Sequence, residues 1–444
     1  PDGIADGDCG MKIAVLGGGT AGTIAAAHIT KRFPHAKLTH IHSSKIPTIG
    51  VGEGTTPRFP LWLRETAGVG LEELAARCGA TLKRGTQFEG WGSMGHAFLN
   101  RFQPTRLIGY HFDAAEVVGL IAEHVRAEVV DARVDKILTT PDAAEIHLDN
   151  GPTLLCDYVF DARGFPSRDA LASEDFIALN WIPTGRAVLR RIMRAGTHSV
   201  TRAIARPHGW VFQIPLRGWT SSGYIFNPRI SADAQIEADF DAFLDEEGDP
   251  PFEARGTLDF PNFLRRTVFD GRVFFIGNAA SFLEPLEATA IGTAIVEIRA
   301  AQDLIDEHGP HVAHGAVDAF NEAMRAYVIR NSLFVAWHYA CGSRWDTTFW
   351  QAARRAMDRA RQDPDAAPHL AAMAPFVEAA RGLPGLAIGV EDEAQWERDV
   401  LPLLTQYIPY GNFSELNFAQ VGHGIGYYQN HRPRARAADV AIHG

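Results

Sequence analysis

Two glutamates interrupt an apolar stretch of the chain, FLEPLEATAIG, which spans residues 282–292. Burial disfavours the charged form of a carboxyl group, and a carboxylate in an apolar pocket can exchange protons with a substrate. Glu287 is therefore a candidate general base or orienting group, whereas Glu284 is the more structural of the two. The alternative for Glu287 is a carboxylate at a helix start, because EATAIGTAIVEI predicts a helix whose dipole favours negative charge there.

A glycine pattern near the N-terminus, Gly17-x-Gly19-x-x-Gly22, could hold a dinucleotide. Glycines let the backbone approach a pyrophosphate, which then lies at the positive N-terminal end of the next helix. The pattern follows a predicted strand and opens a predicted helix, as this motif requires, and the alternative is a glycine turn without a ligand. It occurs once, so a separate nicotinamide domain is not indicated. The predicted cofactor-binding residues of this turn are Gly17, Gly18, Gly19, Thr20, Ala21 and Gly22.

A second glycine cluster, IGVGEGTTP at residues 49–57, follows the second predicted strand. We expect Gly50, Val51 and Gly52 to lie against a flavin ring, where larger side chains would not fit. The alternative is an ordinary loop with no ligand.

The elements that must position these residues can be predicted from periodicity. KIAVLGGGTAGTIAAAHITKRF followed by KLTHIH predicts a βαβ unit. VVDARVDKILTT, AEIHLDNG and TLLCDYVFDARG predict three strands, the last two joined by a hairpin at DNG. Residues 187–230 alternate like a second sheet, and a long helix is predicted from Gly315 to about Cys341. The fold class is therefore α/β, with mixed α and β parts.

Composition excludes several classes of protein. The chain has 444 residues, 46% of them hydrophobic and 21% charged, as in soluble globular proteins. Because 42 Lys and Arg face 53 Asp and Glu, the net charge is −11, and no basic block suggests a nucleic-acid partner. Apolar runs are too short for a membrane span and no signal segment is evident, so we expect a cytoplasmic enzyme. No metal site is expected, because the cysteines lack C-x-x-C spacing; they are Cys9, Cys78, Cys156 and Cys341.

Five separated segments stand in the same order as in the flavin-dependent tryptophan halogenases, which the chain resembles over about residues 11–350. They are GGGTAG, IPTIGVGEGTTP, CGATLKRGTQFEGWG with Lys83, GWVFQIPL, and EPLEATAI with Glu287. GYHFDAAEVVGLI and SRWDTTFW also look like segments of that family. After Trp350 the likeness fades.

The resemblance implies a Rossmann-like FAD-binding domain of the flavin monooxygenase type. Residues 11–186 and 267–310 would form this FAD-binding part, interleaved with a substrate-domain sheet at 187–266 and a helical C-terminal substrate part at 311–444. Residues 1–10, rich in Gly and Asp, would be a leader outside the fold. Reduced FAD from a separate flavin reductase would react with oxygen and a halide ion, and the hypohalous acid formed would reach an aromatic substrate.

The resemblance also implies roles for individual residues. Lys83 and Glu287 would be the catalytic residues of the substrate pocket. Three further residues would contact FAD: His42, Asn278 and Ile291. The backbone N–H groups of Thr289 and Ala290 would bind the halide. A motif near the flavin would consist of Trp210, Phe212, Ile214 and Pro215.

Lys83 could act in two ways that demand different ionisation. A charged lysine would donate a hydrogen bond to hypohalous acid, whereas a neutral amine would form a haloamine. With a reference pKa near 10.4, the neutral amine at pH 7.4 costs about 3 units, or roughly 4 kcal/mol, unless burial lowers the pKa. The charged donor avoids this cost, and a nearby Glu287 would favour it. The alternative is a solvated surface lysine.

Four positions depart from the family pattern. His42 stands at the end of the second strand, where an acidic residue usually binds a ribose hydroxyl. Phe212 replaces the second tryptophan of W-x-W-x-I-P, and Ala288 and Ala290 replace the serine and glycine of EPLESTGI. A halide site can survive the glycine-to-alanine change only if the local φ is negative.

The predicted substrate is an electron-rich aromatic such as an indole, rather than free tryptophan. Only residues 92–109 join Trp91 to Tyr110, too few for the substrate lid of tryptophan halogenases, and the family tryptophan of the C-terminal half falls at about Ile408. A weakened halide site would favour bromide over chloride. Two other functions stay open, a flavin-dependent aromatic monooxygenase and a catalytically silent flavin-binding protein, and a homodimer is compatible with the sequence. Pocket-lining residues could include His111, Phe112, Trp337 and Trp345.

Overall fold

The structure is a computed structural model, which describes residues 10–46, 52–93, 95–102, 107–149, 151–248, 250–383 and 410–430. The described strands are β1 (Lys12–Leu16), β2 (Lys37–His42), β3 (Gly52–Gly54), β4 (Thr81–Lys83), β5 (Gly85–Glu89), β6 (Phe98–Arg101), β7 (Gly109–Asp113), β8 (Glu128–Asp131), β9 (Val134–Thr139), β10 (Ala144–Leu148), β11 (Leu154–Cys156), β12 (Tyr158–Asp161), β13 (Phe176–Ala178), β14 (Arg186–Ile192), β15 (Thr201–Arg206), β16 (Gly209–Pro215), β17 (Thr220–Phe226), β18 (Phe252–Asp259), β19 (Phe263–Arg265), β20 (Val273–Phe275) and β21 (Ser281–Phe282).

The described helices are α1 (Thr20–Arg32), α2 (Arg58–Ala67), α3 (Leu71–Cys78), α4 (Ala114–Ala122), α5 (Arg168–Leu171), α6 (Asp233–Glu246), α7 (Ala290–His308), α8 (His314–Ala340), α9 (Thr348–Ala353), α10 (Ala356–Gln362), α11 (Ala367–Arg381), α12 (Glu415–Gly424) and α13 (Tyr427–Asn430). Two 3₁₀ turns, Gly277–Ala279 and Pro285–Glu287, precede α7. The long helix predicted from Gly315 to about Cys341 is confirmed as α8, within one residue at each end.

A five-stranded parallel sheet carries the predicted dinucleotide motif. Its strand order is β20-β12-β1-β2-β8, and α1 connects β1 to β2 as the βαβ pattern predicts. The central strand β1 reads KIAVL and is buried after its first residue, as expected of a strand covered on both faces. The glycine turn therefore lies at the carboxyl end of a buried central strand, where ligands bind in such sheets.

The second large sheet has seven strands in the order β18-β14-β17-β16-β15-β5-β6. The alternating region at residues 187–230 is confirmed as sheet and supplies β14 to β17, with antiparallel pairing of β15 with β16, of β16 with β17 and of β17 with β14. The sheet also takes in β5 and β6, from the segment predicted to be FAD-binding, because β5 pairs in parallel with β15. One face of the sheet packs against α6, and the other packs against α8 and the helices that follow it.

Two of the three strands predicted between residues 129 and 164 are divided in the structure. VVDARVDKILTT forms β8 in the parallel sheet and β9 in a separate three-stranded sheet. TLLCDYVFDARG likewise divides into β11 and β12, because Asp157 exchanges hydrogen bonds with Lys12 and breaks the strand between them. The hairpin at DNG is confirmed by the antiparallel pairing of β10 with β11.

A small sheet, β3-β7-β4, joins the glycine cluster to the predicted lysine. Lys83 ends β4 and pairs with Gly109 of β7, while Gly52 of β3 pairs with Asp113 at the other end of β7. Within the described residues, no helix combines the length and apolarity that crossing a membrane would take.

Candidate active site

The glycine turn after β1 fits a pyrophosphate. Gly17 has a φ of 107°, and a Cβ there would fall 2.5 Å from the carbonyl oxygen of Ala162. A Cβ on Gly22 would fall 2.0 Å from the carbonyl oxygen of Gly17, so only glycine fits at either position. Gly19 precedes α1 in an extended conformation and no side chain caps the helix. The N–H groups of the first helical turn are therefore available to an anion.

His42 ends β2 beside this glycine turn. A Cβ on Gly18 would fall 3.0 Å from Cγ of His42, so the imidazole covers the middle glycine of the turn. The ring of His40 packs edge-on against it at 4.8 Å, and His40 Nε2 lies 2.9 Å from the carbonyl oxygen of Gly17. Two histidines thus stand beside the glycine turn, at the end of β2 where the family has a carboxylate.

A pocket in front of α7 brings together predicted residues from the flavin and halide sets. Its lining residues are Gly277, Asn278, Ser281, Phe282, Leu283, Thr289, Ala290, Thr293, Val328 and Asn331. Thr289 and Ala290 open α7, so their N–H groups lack intrahelical acceptors and can bind an anion. Ile291, the other predicted flavin contact of this region, is not among the residues lining this pocket, and its side chain belongs to the core around the parallel sheet.

The alanine substitutions in this segment fall on different backbone conformations. Ala290 is the first residue of α7 and has helical, negative φ, so the glycine-to-alanine change is sterically compatible with a halide site. Ala288 instead has a φ of 52° and a ψ of 42°, the left-handed region that L-residues rarely adopt. It is the non-glycine residue with positive φ among the described residues. This turn separates Glu287 from Thr289.

Of the predicted flavin-contacting cluster at residues 50–52, Gly50 and Val51 lie outside the described residues. Gly52 begins β3, and two residues later Gly54 lies against the predicted lysine. A Cβ on Gly54 would fall 3.2 Å from Nζ of Lys83 and 3.3 Å from Oγ1 of Thr201. The strand after the glycine cluster therefore touches Lys83 directly.

Lys83 is fully buried, so the surface-lysine alternative is wrong. Its ammonium nitrogen has no hydrogen-bond partner within the part of the chain that the structure describes. The ring of Phe102 lies 5.7 Å from this nitrogen. Burial lowers the pKa of Lys83 to about 8, and the negative charge of Glu287 opposes part of that shift. An unpartnered buried ammonium is costly, and such groups are characteristic of sites that bind a ligand.

Glu287 is 6% exposed and ends the 3₁₀ turn Pro285–Glu287. It precedes α7 by two residues, and the left-handed Ala288 intervenes, so the helix-start alternative does not describe it. Asn100 Nδ2 donates to both carboxylate oxygens, at 3.0 and 3.2 Å. His338 Nε2 lies 3.0 Å from Oε1. The carboxylate is thus held by side chains of β6 and α8.

Glu284 is structural, as the sequence suggested. It is fully buried and accepts hydrogen bonds from the hydroxyls of Thr184 and Tyr339. Tyr339 in turn accepts from the indole N–H of Trp210 at 2.7 Å. Burial raises the pKa of Glu284 to about 7, although these hydrogen bonds oppose the shift. Glu284 therefore fastens the segment to β16 and α8.

The remaining residues of the predicted W-x-W-x-I-P motif are buried in β16. The ring of Phe212 packs directly against Gly223. A Cβ on Gly223 would fall 2.3 Å from this ring, so no larger residue fits there. Ile214 belongs to the core, and the carbonyl oxygen of Pro215 accepts from Thr81 of β4 at 2.7 Å. The motif thus connects the second sheet to the strand that ends in Lys83.

With this geometry in place, the comparison with known proteins is decisive. The family model described as tryptophan halogenase matches residues 12–108 and 104–372 of the chain. The chain belongs to the tryptophan halogenase family. It is therefore a flavin-dependent halogenase, an oxidoreductase that uses FAD, oxygen and a halide and needs a separate flavin reductase.

Individual relatives are distant. Tryptophan 7-halogenase RebH of Lentzea aerocolonigenes is 24% identical over 421 residues, which cover 77% of this chain and 78% of RebH. A tryptophan halogenase structure from Shewanella frigidimarina superimposes with a TM-score of 0.74 at 20% identity, covering 94% of this chain and 89% of the other. BrvH, a flavin-dependent halogenase from Brevundimonas sp. BAL3, gives a TM-score of 0.67 at 21% identity, covering 96% and 100%. The mixed α/β fold with a Rossmann-type FAD-binding part is thus confirmed.

Two residues of this halogenase were missed by the sequence analysis, Asn100 and His338. Asn100 lies in FLNR, which carries no motif, so nothing local indicated it. His338 lies in AWHYA, near the end of a predicted helix and just before SRWDTTFW, and a histidine among aromatic residues there was an available signal. The described residues contain no group of three His, Cys, Asp or Glu side chains arranged to hold a metal ion.

Of the four residues suggested as pocket lining, three are buried in the structure, and Trp345 is partly buried against the core. His111 and Phe112 are fully buried on β7, and the ring of Phe112 packs 5.0 Å from that of Phe59. Trp345 donates its indole N–H to a backbone carbonyl of β15 at 3.0 Å, and Trp337 is 3% exposed among other aromatic rings. Of the four, His111 lies close to Lys83, whose charge together with burial keeps the pKa of this histidine well below its ordinary value.

Proposed function

We propose that this halogenase transfers chlorine or bromine to an electron-rich aromatic ring such as an indole, and that Lys83 and Glu287 carry the transfer. The observation that carries the proposal is the buried ammonium of Lys83, which has no protein partner within the described residues and interacts with the charge of Glu287. Such an ammonium can donate a hydrogen bond to hypohalous acid and polarise its oxygen–halogen bond.

The two ends of the segment at residues 281–291 would serve the two halves of the reaction. On one side, Asn278, Thr289 and Ala290 line the pocket in front of α7, where we place the flavin ring and the halide. When bound, FAD supplies the redox chemistry that oxidises halide with oxygen. On the other side, Glu287 points to Asn100 and His338 and would accept the proton that leaves the ring after halogen addition.

The substrate is an indole group without the charged end of free tryptophan. The names of relatives such as tryptophan 7-halogenase RebH give tryptophan as the substrate of those proteins. In this chain, however, the connection at residues 92–109 is short, and part of it forms β6, which pairs with β5 in the second sheet. Asn100 of that strand is already committed to Glu287. An amino acid's carboxylate and ammonium left without partners in this pocket would weaken binding by roughly 1–3 kcal/mol each or more. Ile408, suggested as the C-terminal counterpart, lies outside the described residues.

The test is a product assay with purified protein, FAD, a flavin reductase, NADH and either chloride or bromide. Indole, tryptophan and a phenol are offered separately, and products are identified by mass spectrometry. We expect halogenated indole, with bromide at least as effective as chloride, and little halogenated tryptophan. Without the reductase, the chain should oxidise NADH only slowly. Oxygenated products would favour a monooxygenase, and FAD binding without any product would favour a silent flavin-binding protein.

Two substitutions in the same turn give a matched comparison. Glu287→Gln removes the proton acceptor and should lower halogenation by about 100-fold or more, the usual range for a general base. Glu284→Gln is the same change three residues away, on a carboxyl that is bonded to Thr184 and Tyr339. It should leave most halogenation in place. Equal losses in both variants would refute the role of Glu287.

A further inference from the structure

His338 and Glu287 form a close buried contact that is short enough for an ion pair, although Nε2 of His338 makes no hydrogen bond of good geometry within the described residues. His338 Nδ1 is 2.8 Å from the carbonyl oxygen of Phe334, which can only accept, so Nδ1 carries a hydrogen. The other ring nitrogen, Nε2, lies 3.0 Å from Oε1 of Glu287. A bare Nε2 and a bare carboxylate oxygen would repel each other at that distance. The pair is therefore either an imidazolium with a carboxylate, or an imidazole with a carboxylic acid.

The neighbours of Glu287 favour one of these two states. The backbone N–H of Ser414 donates to Oδ1 of Asn417, which fixes the orientation of that amide. Asn417 Nδ2 then donates to Oδ1 of Asn100 at 3.2 Å, so Asn100 must present its Nδ2 to Glu287. Asn100 Nδ2 thus donates to both oxygens of Glu287, and the charge of Lys83 interacts with the same carboxylate, so these neighbours favour its ionised form. The additional proton of the pair consequently lies on His338.

We propose that His338 is a positioning residue that acts as a fixed imidazolium and keeps Glu287 ionised in its buried turn. This inference rests on the proposed function of Glu287 and deepens it. A general base must be deprotonated when the substrate arrives, and an apolar pocket works against that state. The imidazolium supplies the opposite charge 3.0 Å from Oε1 of Glu287.

Among the described residues, two other buried carboxyl groups of the chain, Glu284 and Glu297, lack such a partner. Burial raises the pKa of Glu284 to about 7 and that of Glu297 to about 8, and each of these groups is met by neutral hydrogen-bond donors. Glu287 is the one of the three that has an imidazole within 3.0 Å. The other ring neighbours of His338 are aromatic, with Phe88 and Phe334 both 5.0 Å away between centroids. The ammonium of Lys83 is a further charged group that interacts with Glu287.

The proton count of the reaction follows from this arrangement. Hypohalous acid donates its halogen to a ring carbon, so that a carbon–halogen bond forms and the oxygen–halogen bond breaks. The carbon–hydrogen bond at the same carbon then breaks, its electron pair restores the aromatic ring, and its proton passes to Glu287. The oxygen of hypohalous acid leaves with the bonding electron pair as hydroxide, and the ring proton that Glu287 later releases converts it to water. His338 keeps its own proton throughout.

The kinetic test uses His338→Gln, His338→Phe, Glu287→Gln and the double variant His338→Phe with Glu287→Gln. His338→Phe should lower single-turnover halogenation by about 100-fold or more while the rate of flavin reoxidation changes little. His338→Gln keeps a donor without the charge and should lie between. Because His338 acts through Glu287, the double variant should be no slower than Glu287→Gln alone. Multiplied losses, or full activity of His338→Phe, would overturn the proposal.

A second readout needs no activity, so it separates this inference from the proposed function. In full-length protein with histidine rings labelled with nitrogen-15, we expect His338 to show two protonated ring nitrogens at pH 7, assigned by its loss in His338→Gln. The Glu287→Gln variant should convert this signal to a neutral imidazole. A neutral His338 in the unmodified protein would overturn the proposal even if halogenation is observed, whereas an imidazolium without any halogenated product would refute only the proposed function.

The matched control is His28→Gln. His28 is as buried as His338 and is hydrogen-bonded to Trp62 and Gln302, away from Glu287. This variant should lose stability without changing the His338 signal. If it removed the imidazolium signal as well, that signal would report general loosening of the fold and not the contact with Glu287.

Discussion

The ionisation of Lys83 can be tested through the pH dependence of halogenation. Burial lowers its pKa to about 8 from an ordinary 10.5. At pH 7.4 the neutral amine therefore costs about 1 kcal/mol, because the difference of about 0.6 unit is multiplied by about 1.36 kcal/mol per unit. This is far below the roughly 4 kcal/mol expected for an exposed lysine. The structure thus makes the haloamine pathway more accessible than the sequence suggested, and the pH profile must discriminate between the two roles.

The assay is single-turnover halogenation of indole by enzyme supplied with chemically reduced FAD, from pH 6 to pH 9.5. If the charged lysine is the donor, activity is full below pH 8 and falls above it. The charged fraction drops from about 90% at pH 7 to about 10% at pH 9, so the rate should fall about ninefold over that interval. If the neutral amine reacts, the rate should instead rise by a similar factor. We expect the fall, because Glu287 favours the ammonium.

Lys83→Arg supplies the control, because arginine stays charged and cannot form a haloamine. The ionisation of hypohalous acid and of FAD affects both proteins equally. The ratio of the halogenation rate of the unmodified enzyme to that of Lys83→Arg therefore isolates the ionisation of Lys83. We expect Lys83→Arg to keep part of the activity and to lack the fall near pH 8, and Lys83→Ala to lose halogenation but not flavin reoxidation. A ratio that does not change between pH 7 and pH 9 would refute the assigned ionisation.

Substitutions at three further positions test separate parts of the structure. Ala288→Gly should change the free energy of unfolding by less than about 1 kcal/mol, because relief of the left-handed strain offsets the added entropy of the unfolded chain. Ala288→Val should instead destabilise the fold by about 1–3 kcal/mol. Equal melting temperatures of the two variants would contradict the left-handed turn. Since folding raises the pKa of Glu284 from 4.5 to about 7, the folded chain binds this proton more tightly, so stability should fall as the pH rises between those values. Glu284→Gln should remove up to about 3 kcal/mol of that dependence in denaturation curves, and an unchanged slope would refute it. His42→Asp should tighten FAD binding about tenfold in fluorescence titrations by accepting a ribose hydroxyl, and weaker binding would show that the imidazole itself contacts FAD.

The parts of the fold that could be predicted are those with local signals. The glycine turn between β1 and α1 is dictated by close backbone contacts at Gly17 and Gly22, which no other residue could make. The long helix α8 could be predicted from the helical pattern of its sequence. The division of VVDARVDKILTT into β8 and β9 could not be predicted, because the two halves pair with strands that are distant from each other in the sheets.

The candidate site shows the same limit. Lys83 and Glu287 could be proposed because each lies in a segment with a family pattern, yet their burial reverses what their residue types suggest. Asn100 and His338 reach Glu287 across 187 and 51 positions of the chain, so their role depends on how β6 and α8 pack and not on any neighbouring residue. Sequence reasoning found the groups that would react, and missed those that set their charge.

The conformation of Ala288 explains how one short segment can serve two sites. Pro285 starts a 3₁₀ turn that ends at Glu287, the left-handed residue then reverses the chain, and Thr289 leads directly into α7. Glu287 is therefore aimed at Asn100 and His338, while the next residues line the pocket in front of α7. Because three consecutive backbone conformations set this separation, substitutions that remove the side chain of Glu287 should leave halide and flavin binding intact. This is the reason to expect halogenation and flavin reoxidation to be lost separately in the variants described above.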